Sequence, residues 1–391
     1  MNAPFDEVGA LKRRRGAIIA NARALSVQFA KEAAHHDRSG EFPFANFDHL
    51  ARAGILSFTI DPRFGGSGAG LSEALAVVGE IARGDPATAL VLSMHYIQHA
   101  AIARNPSFPA ALGARLKRES VEGIALINGI QVEPELGSPS RGGLPKTIAR
   151  RDGDAWVISG HKLYATGAPI LGWFNVWAIT DEDQPRIGNF FVPAGSAGLT
   201  IIRTWDAIGM RATGSEDVLL QEVRVPLEHA VDLRPAGLPV QRNDAGRGWY
   251  FGMLAAVYNG VAVAARDWLV DFLKARAPAS LGAPLSTVPR IQEAVGTIEG
   301  LLAANGALLR TLGDDTDADV ASGLGGAGLV KNVVTNNAIE VTTLALALCG
   351  NHGLSQGNAL ERHHRNALCG RIHAPQDDTI RIAAGKAALG L

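Results

Sequence analysis

The apolar period of the chain changes twice, and that double switch limits the architecture more than any single motif. Up to about residue 121 the apolar residues recur at helical spacing. "LSEALAVVGEIARG" carries one apolar face, and "PATALVLSMHYIQHAAIA" is apolar nearly all round, the pattern of a buried helix. A glycine-rich turn, "DPRFGGSGAG", precedes them. From about Glu122 the pattern becomes that of strands. "TIARRDGDAWVISGHKLYAT" places two runs of β-branched and aromatic residues around Asp152-Gly153, a hairpin signal. "NFFVP", "LTIIRTW" and "DVLLQEVRVP" continue in that style. After about Arg242 the helical period returns in three long stretches, "WYFGMLAAVYNGVAVAARDWLVDFLKA", "VPRIQEAVGTIEGLLAANGALLRTL" and "AGLVKNVVTNNAIEVTTLALALCG". The pattern predicts an α+β chain: helical over 1–121, β over 122–238 and helical again over 239–391.

Composition narrows the function classes. With 47% apolar residues in 391, the chain can fill the core of two or three domains or of one large unit. Its 37 basic and 38 acidic residues nearly cancel, which argues against a nucleic-acid or membrane surface. Cys349 and Cys369 are too few for a disulfide framework or a zinc cluster, and fit small core residues in a reducing cytoplasm. The basic run Lys12–Arg15 reads as a solvated helix face. The apolar stretch after it is broken by Asn21 and Arg23, so neither a signal peptide nor a membrane span is expected.

Three patterns mislead. "GLGGAG", Gly323–Gly328, matches a dinucleotide fingerprint but follows the polar run "DDTDADVAS" instead of a strand, and reads as a connection between helices. "DDTDAD" begins like a calcium loop, yet Val320 stands where the turn needs glycine and no glutamate follows at the right distance. His95 and His99, four residues apart, could share a metal. No second pair announces itself, so no metal is expected, and pocket or core histidines are the plainer reading. His363 and His364, being adjacent, point in different directions and read as surface or interface residues.

Motifs in order along the whole chain carry a resemblance. "FDHLARAGILSFTIDPRFGGSGAGLSEA" opens it. "VEPELGS" is similar to a Thr-Glu-Pro-x-x-Gly-Ser segment, "SGHKLYATGA" to an Asn-Gly-x-Lys-x-x-Ile-Thr-Asn segment, and "IGMRATGSEDVLLQEVRVP" to the signature closing a β domain. "CGNHGLS" and "ERHHRNAL" match a Gly-Gly-x-Gly turn and a Glu-Arg-x-x-Arg-Asp. Together they resemble the acyl-CoA dehydrogenase superfamily. The resemblance implies an N-terminal helical domain, a middle β-barrel or sandwich domain and a C-terminal four-helix bundle, with a flavin, FAD or FMN, in a cleft between the β domain and the last helices. It implies cofactor contacts from Gln131, Val132, Ser138, Tyr164 and Thr166, the last offering a hydroxyl to the isoalloxazine edge. Gln292, Gly350 and Gly353 match positions near the diphosphate or adenine end, often reached from a neighbouring subunit, and a homotetramer is implied. The plainer readings are a strand-filling β-branched residue for Thr166 and an exposed helical glutamine for Gln292.

The chain departs from the dehydrogenase pattern where the chemistry lies. Removing an α-proton needs a carboxylate base. The family's usual glutamate position is Ala374 here, and its alternative position, on the first long C-terminal helix, falls on Tyr250. Asp377 and Asp378 follow three or four residues on and suit first-turn helix carboxylates. Arg365-Asn366, followed seven residues later by His373-Ala374-Pro375, resembles instead the dibenzothiophene monooxygenase type, which uses reduced flavin delivered by a separate reductase. An imidazole at the flavin suits oxygen chemistry, which needs a hydrogen-bond partner and a proton source near neutral pH, and a dry pocket. The expectation is therefore a cytoplasmic two-component monooxygenase of small apolar or aromatic substrates. His373 would be the proton donor or base, with His95 or His99 also facing the flavin or substrate. The alternatives are an FAD-dependent acyl-CoA dehydrogenase with a displaced base, supported by "QDDTIRIAAGKAALG" and "ATGSED", and a catalytically silent flavin-fold binding protein.

Overall fold

The computed structural model describes residues 3–136, 142–238, 244–320 and 325–391. Five helices come first: α1 (Ala3–Ser39), α2 (Phe44–Arg52), α3 (Leu71–Gly84), α4 (Pro86–Arg104) and α5 (Ala110–Glu122). Eight strands follow: β1 (Leu126–Ile130), β2 (Ile148–Asp152), β3 (Ala155–Ala165), β4 (Leu171–Thr180), β5 (Arg186–Pro193), β6 (Leu199–Ile202), β7 (Glu216–Pro226) and β8 (Ala230–Pro235). The chain ends in α6 (Asp244–Ala275), α7 (Pro289–Asp317), α8 (Ala327–Cys349), the short α9 (Asn351–Leu354), α10 (Ala359–Leu368) and α11 (Asp377–Leu389).

The strands form one connected sheet in the order β6-β7-β3-β2-β4-β5-β8, with β1 paired in parallel to β4. It has two limbs, because β1 and β2 share one edge of β4. β2 meets β4 only at Ile148↔Ile179 and Ala149↔Thr180, while β1 runs beside Leu171–Val176. The hairpin at Asp152-Gly153 forms as its turn residues dictate, with Gly153 at φ +63° and Asp152 opposite Ala155. β4 buries both faces. Phe174 and Val176 join the main core, while Trp173 joins Ile127, Phe191 and Val231 in a smaller cluster against Leu112 and Leu116 of α5. The Trp173 indole donates to Glu119 of α5 at 2.7 Å, which lets a large aromatic bury without an orphaned N–H.

Burial explains why α4 and α6 lack a polar face. α6 packs against α3, α4, α7, α8 and α10, and α4 also packs on β1. Of the most apolar window in α6, 83% is buried inside the fold, so its membrane-like length and composition reflect a core position. α4 starts where the sequence dictates, with Pro86 in its first turn and the Asp85 carboxylate accepting from the Ala87 amide at 3.0 Å.

The acidic run "DDTDAD" has a structural task. Asp314–Asp317 lie in the last turn of α7, an unfavourable end for carboxylates on dipole grounds. Asp317 instead accepts from the first amides of α3, Leu71 at 2.6 Å and Ser72 at 2.9 Å, and Asp314 accepts from the Ser72 hydroxyl at 2.7 Å. α3 has no side-chain cap of its own, because it is preceded by Gly70. Asp317→Ala is expected to cost about 1 kcal/mol, the usual loss for a helix cap, and to speed hydrogen exchange at the Leu71 amide. Asp317→Asn should retain most of both.

Candidate active site

Three segments converge beside the last helices. The ends of β1 and β3 and the loop leading into β7 come together through backbone and side-chain bonds. The Leu163 amide donates to Val132 O at 2.9 Å, Asn128 Nδ2 to Thr166 O at 2.9 Å, and the Gly167 amide to Thr213 O at 2.9 Å. The Thr166 hydroxyl lies 3.0 Å from that of Ser215, which lies 2.7 Å from that of Thr213. Thr213 in turn donates to Met210 O at 2.9 Å. Tyr164 adopts a left-handed conformation, φ 57°, costly for a bulky residue and commonest where function holds it. Tyr164 is 58% exposed, and its ring meets Trp205 edge to face at 6.2 Å. An open aromatic face beside a half-buried hydroxyl pair suits a planar heteroaromatic ring such as isoalloxazine.

A buried ion pair holds this cradle. Lys162, on β3, donates to Glu133 at 2.6 Å and to Trp177 O at 2.6 Å. Glu133 also accepts from the amides of Lys146 and Thr147 and from the Thr147 hydroxyl. Burial alone would raise the Glu133 carboxyl, but Lys162, Thr147 and the Lys146 amide outweigh it and hold it below its ordinary value. Burial brings the Lys162 ammonium down to about 8 despite Glu133.

The Arg365-Asn366 pair ties this loop to the C-terminal helices. Asn366 Oδ1 accepts from the Met210 amide at 2.7 Å, and Arg365 bridges Ile208 O, Glu361 and Asp37 of α1. The approach is close enough that a Cβ on Gly209 would lie 2.3 Å from Arg365 O. Beyond α10 the chain turns and presents His373. Its Nε2 lies 2.6 Å from the Tyr258 hydroxyl of α6, and the Lys331 ammonium of α8 donates to its carbonyl at 3.2 Å. The Tyr250 hydroxyl donates to Ala374 O at 2.8 Å, so the two positions where a base glutamate would be sought meet each other, and neither carries a carboxylate. Asp377 stands next to this group, but Lys331 at 3.6 Å and Asn336 at 2.8 Å engage it.

The other expected residues are placed differently. His95 is 0% exposed, and both its ring nitrogens serve backbone: Nε2 lies 3.1 Å from Leu56 O, and Nδ1 accepts from the Ile127 amide at 3.2 Å. It pins α4 to β1 and has no nitrogen left for a ligand. His99 packs edge-on to His95 at 4.5 Å and bonds Ser120. His363 is buried and His364 bonds Thr342, so neither is a free surface group. Gln292 is exposed on α7 and caps back onto Ser286 O at 3.0 Å. Gly350 ends α8 at φ 54°, and Gly353 is buried in α9. No hydrogen bond among the described residues joins these three to Thr166. Ser138 lies outside the described residues, as do Gly323 and Leu324 of the "GLGGAG" connection. Among the described residues, no group of three metal-ligating side chains occurs. Asn128, Thr213, Ser215, Tyr258 and Lys331 join these candidate groups, although the sequence reading named none of them individually. For Lys331 a signal existed, a lone charge inside the apolar run "AGLVKNVV".

Burial holds several histidines neutral. It lowers His95 and His373 to about 4, His363 to about 3, and His99 well below its usual value. The unfolded chain protonates these rings near pH 6.5. Between about 4 and 6.5 the unfolded state therefore binds more protons, so stability rises with pH and is lost as pH falls through this window. The thermal midpoint is expected to drop steeply from pH 6.5 to 4.5, and a flat profile there would contradict the assignment.

Comparison with known proteins agrees with this architecture. Residues 16–107, 132–223 and 252–377 match the N-terminal, middle and C-terminal domains of acyl-CoA dehydrogenase. The chain belongs to the acyl-CoA dehydrogenase family. It is 34% identical to YdbM of Bacillus subtilis (strain 168), a protein named for acyl-CoA dehydrogenase, over 91% of this chain and 92% of that one. It is 27% identical to L-evernosamine nitrososynthase of Micromonospora sp., over 93% and 88%. The solved structure of KijD3 in complex with FMN and an amino-keto sugar nucleotide superposes with a TM-score of 0.84 at 26% identity, covering 96% of this chain and 94% of that one.

Proposed function

We propose that this protein is a flavin-dependent monooxygenase of two-component type. It would take reduced flavin from a separate reductase and act on a small apolar or aromatic substrate. The observation that carries the reading is the meeting of Tyr250 with Ala374 beside His373. Both positions for a dehydrogenase base converge, neither holds a carboxylate, and the histidine beside them offers an imidazole instead. Bound flavin would supply two electrons to O₂, one oxygen atom passing to the substrate and the other leaving as water. Tyr164, Thr166 and the backbone at Gln131 and Val132 would hold its ring, with Ser138 beside them, and His373 would hold or move a proton at the reacting atoms. Gln292, Gly350 and Gly353 would serve a flavin of a neighbouring subunit in a homotetramer, and the protein would work in the cytoplasm. The FMN held by KijD3 and the nitrososynthase named above support an oxygen-handling use of this fold.

A second reading, acyl-CoA dehydrogenation, is favoured by the 34% identity to YdbM. One experiment separates them. The purified protein is loaded with reduced FMN or FAD and mixed rapidly with O₂ while the flavin spectrum is followed. A long-lived spectral species distinct from both the reduced and oxidised forms supports oxygenation. Flavin that co-purifies tightly and is bleached by acyl-CoA thioesters supports dehydrogenation. Neither behaviour would mean a silent binding protein.

A further inference from the structure

We infer that Tyr258 is a positioning residue whose hydroxyl fixes the His373 imidazole in the Nδ1–H tautomer, so that His373 meets the reacting atoms as a neutral hydrogen-bond donor through Nδ1. The inference rests on the role proposed above for His373 and adds which nitrogen acts and what holds it.

Tyr258 is 0% exposed, and among the described residues its hydroxyl has a single partner, His373 Nε2 at 2.6 Å. A phenol has one proton to donate. If Nε2 carried hydrogen, it would donate to the phenolic oxygen, and the phenol's own proton would be buried without an acceptor. That orphan costs about 1–3 kcal/mol. With the phenol donating, Nε2 is the acceptor and the ring hydrogen sits on Nδ1. The imidazolium fails for the same reason, since both of its nitrogens carry hydrogen.

The surroundings act in the same direction. The buried or partly buried titratable groups around this segment are Tyr250 and Tyr258 of α6, Lys331 of α8, Asp377 of α11 and Cys369 of the preceding turn, while Arg371, Asp378 and Arg381 are exposed at its edge. Lys331 has a fully buried side chain and donates to the carbonyl of His373 itself, so a second positive charge on the ring is disfavoured. Asp377, the acid among them, is shared between Lys331 and Asn336 and is not bonded to the ring. Burial, and then Lys331, lower the imidazole to about 4, and burial pushes the Tyr258 phenol well above its usual range. Tyr258 therefore donates and does not titrate. Nδ1 has no protein partner among the described residues and His373 as a residue is not fully buried, so Nδ1–H is the end left for a ligand. A neutral imidazole used as a donor polarises an oxygen without supplying net charge.

The test is nitrogen NMR on the full-length protein labelled with ¹⁵N-histidine, the His373 signals being identified by their loss in His373→Gln. At pH 7 the wild type should show Nδ1 protonated and Nε2 bare. Tyr258→Phe, which removes one oxygen atom, should move the ring toward the Nε2–H tautomer. It should also lower kcat about tenfold, the scale of one hydrogen bond, with flavin affinity unchanged. A wild-type ring protonated on Nε2, or a tautomer unchanged in Tyr258→Phe, overturns the assignment to Tyr258 and leaves the oxygenase reading as it was. A shifted tautomer with unchanged turnover overturns the role of His373 and, with it, the positioning role of Tyr258.

Discussion

His373→Ala is expected to lower turnover by about 10²–10⁴-fold, the span usual for loss of a proton-handling side chain, while flavin affinity changes little. His373 is anchored by Tyr258, but it takes no part in the bonds that assemble the Thr166, Ser215 and Val132 cradle. Its removal should therefore leave the flavin cradle intact. His373→Gln sharpens the test. Glutamine keeps the polarity and can accept from Tyr258, but it has no titrating nitrogen and places its donor differently. If proton handling at His373 matters, Gln and Ala should be similarly slow. Flavin affinity is read by fluorescence titration. Turnover is read on whichever small aromatic or amino-sugar compounds the wild type oxidises with reduced flavin and O₂. Turnover near the wild-type rate in His373→Ala would remove the histidine from the mechanism.

The sequence made the local structure plain and hid the long-range partners. A period of 3.6 or 2 is written within a few residues, so the switches near Glu122 and Arg242 and the hairpin at Asp152-Gly153 could be read directly. Motif spacing likewise named Thr166, Val132 and His373 as candidate residues. What could not be read is which residues meet across the fold. Tyr258 lies 115 residues from His373, and Asp317 lies 246 from the Leu71 amide that it caps. Neither partnership leaves a local trace. His95 shows the opposite failure. A histidine on an all-apolar helix invites a catalytic reading, yet two backbone groups satisfy both of its nitrogens, and those groups belong to segments 39 and 32 residues away. The acidic run "DDTDAD" departs from a calcium loop in its own residues. Its actual task depended on α3 lacking a side-chain cap.

Lys162→Met is expected to destabilise the protein by about 3–5 kcal/mol at pH 7, the cost of leaving one member of a buried ion pair without its partner, and to weaken flavin retention with it. Both side chains of the pair are nearly inaccessible, 0% exposed for Lys162 and 3% for Glu133. Without the ammonium, the Glu133 carboxylate keeps the Lys146 and Thr147 donors but carries an uncompensated charge. Flavin retention suffers because the pair joins the segment of Gln131 and Val132 to the strand of Tyr164 and Thr166. Glu133→Gln should differ in its pH response. There Lys162 loses its anion, so its folded pKa falls below the value near 8 that it has beside Glu133, while the unfolded value stays near 10.5. The unfolded state then binds more protons over the interval that begins below pH 8, and stability rises with pH across it. The deficit of Glu133→Gln should therefore narrow as pH approaches 8. The deficit of Lys162→Met should not narrow in this way, because no lysine remains to release a proton. Urea unfolding at pH 6, 7 and 8 separates the two variants. A Lys162→Met protein within 1 kcal/mol of wild type would show that the pair is not what holds the two proposed cofactor segments together.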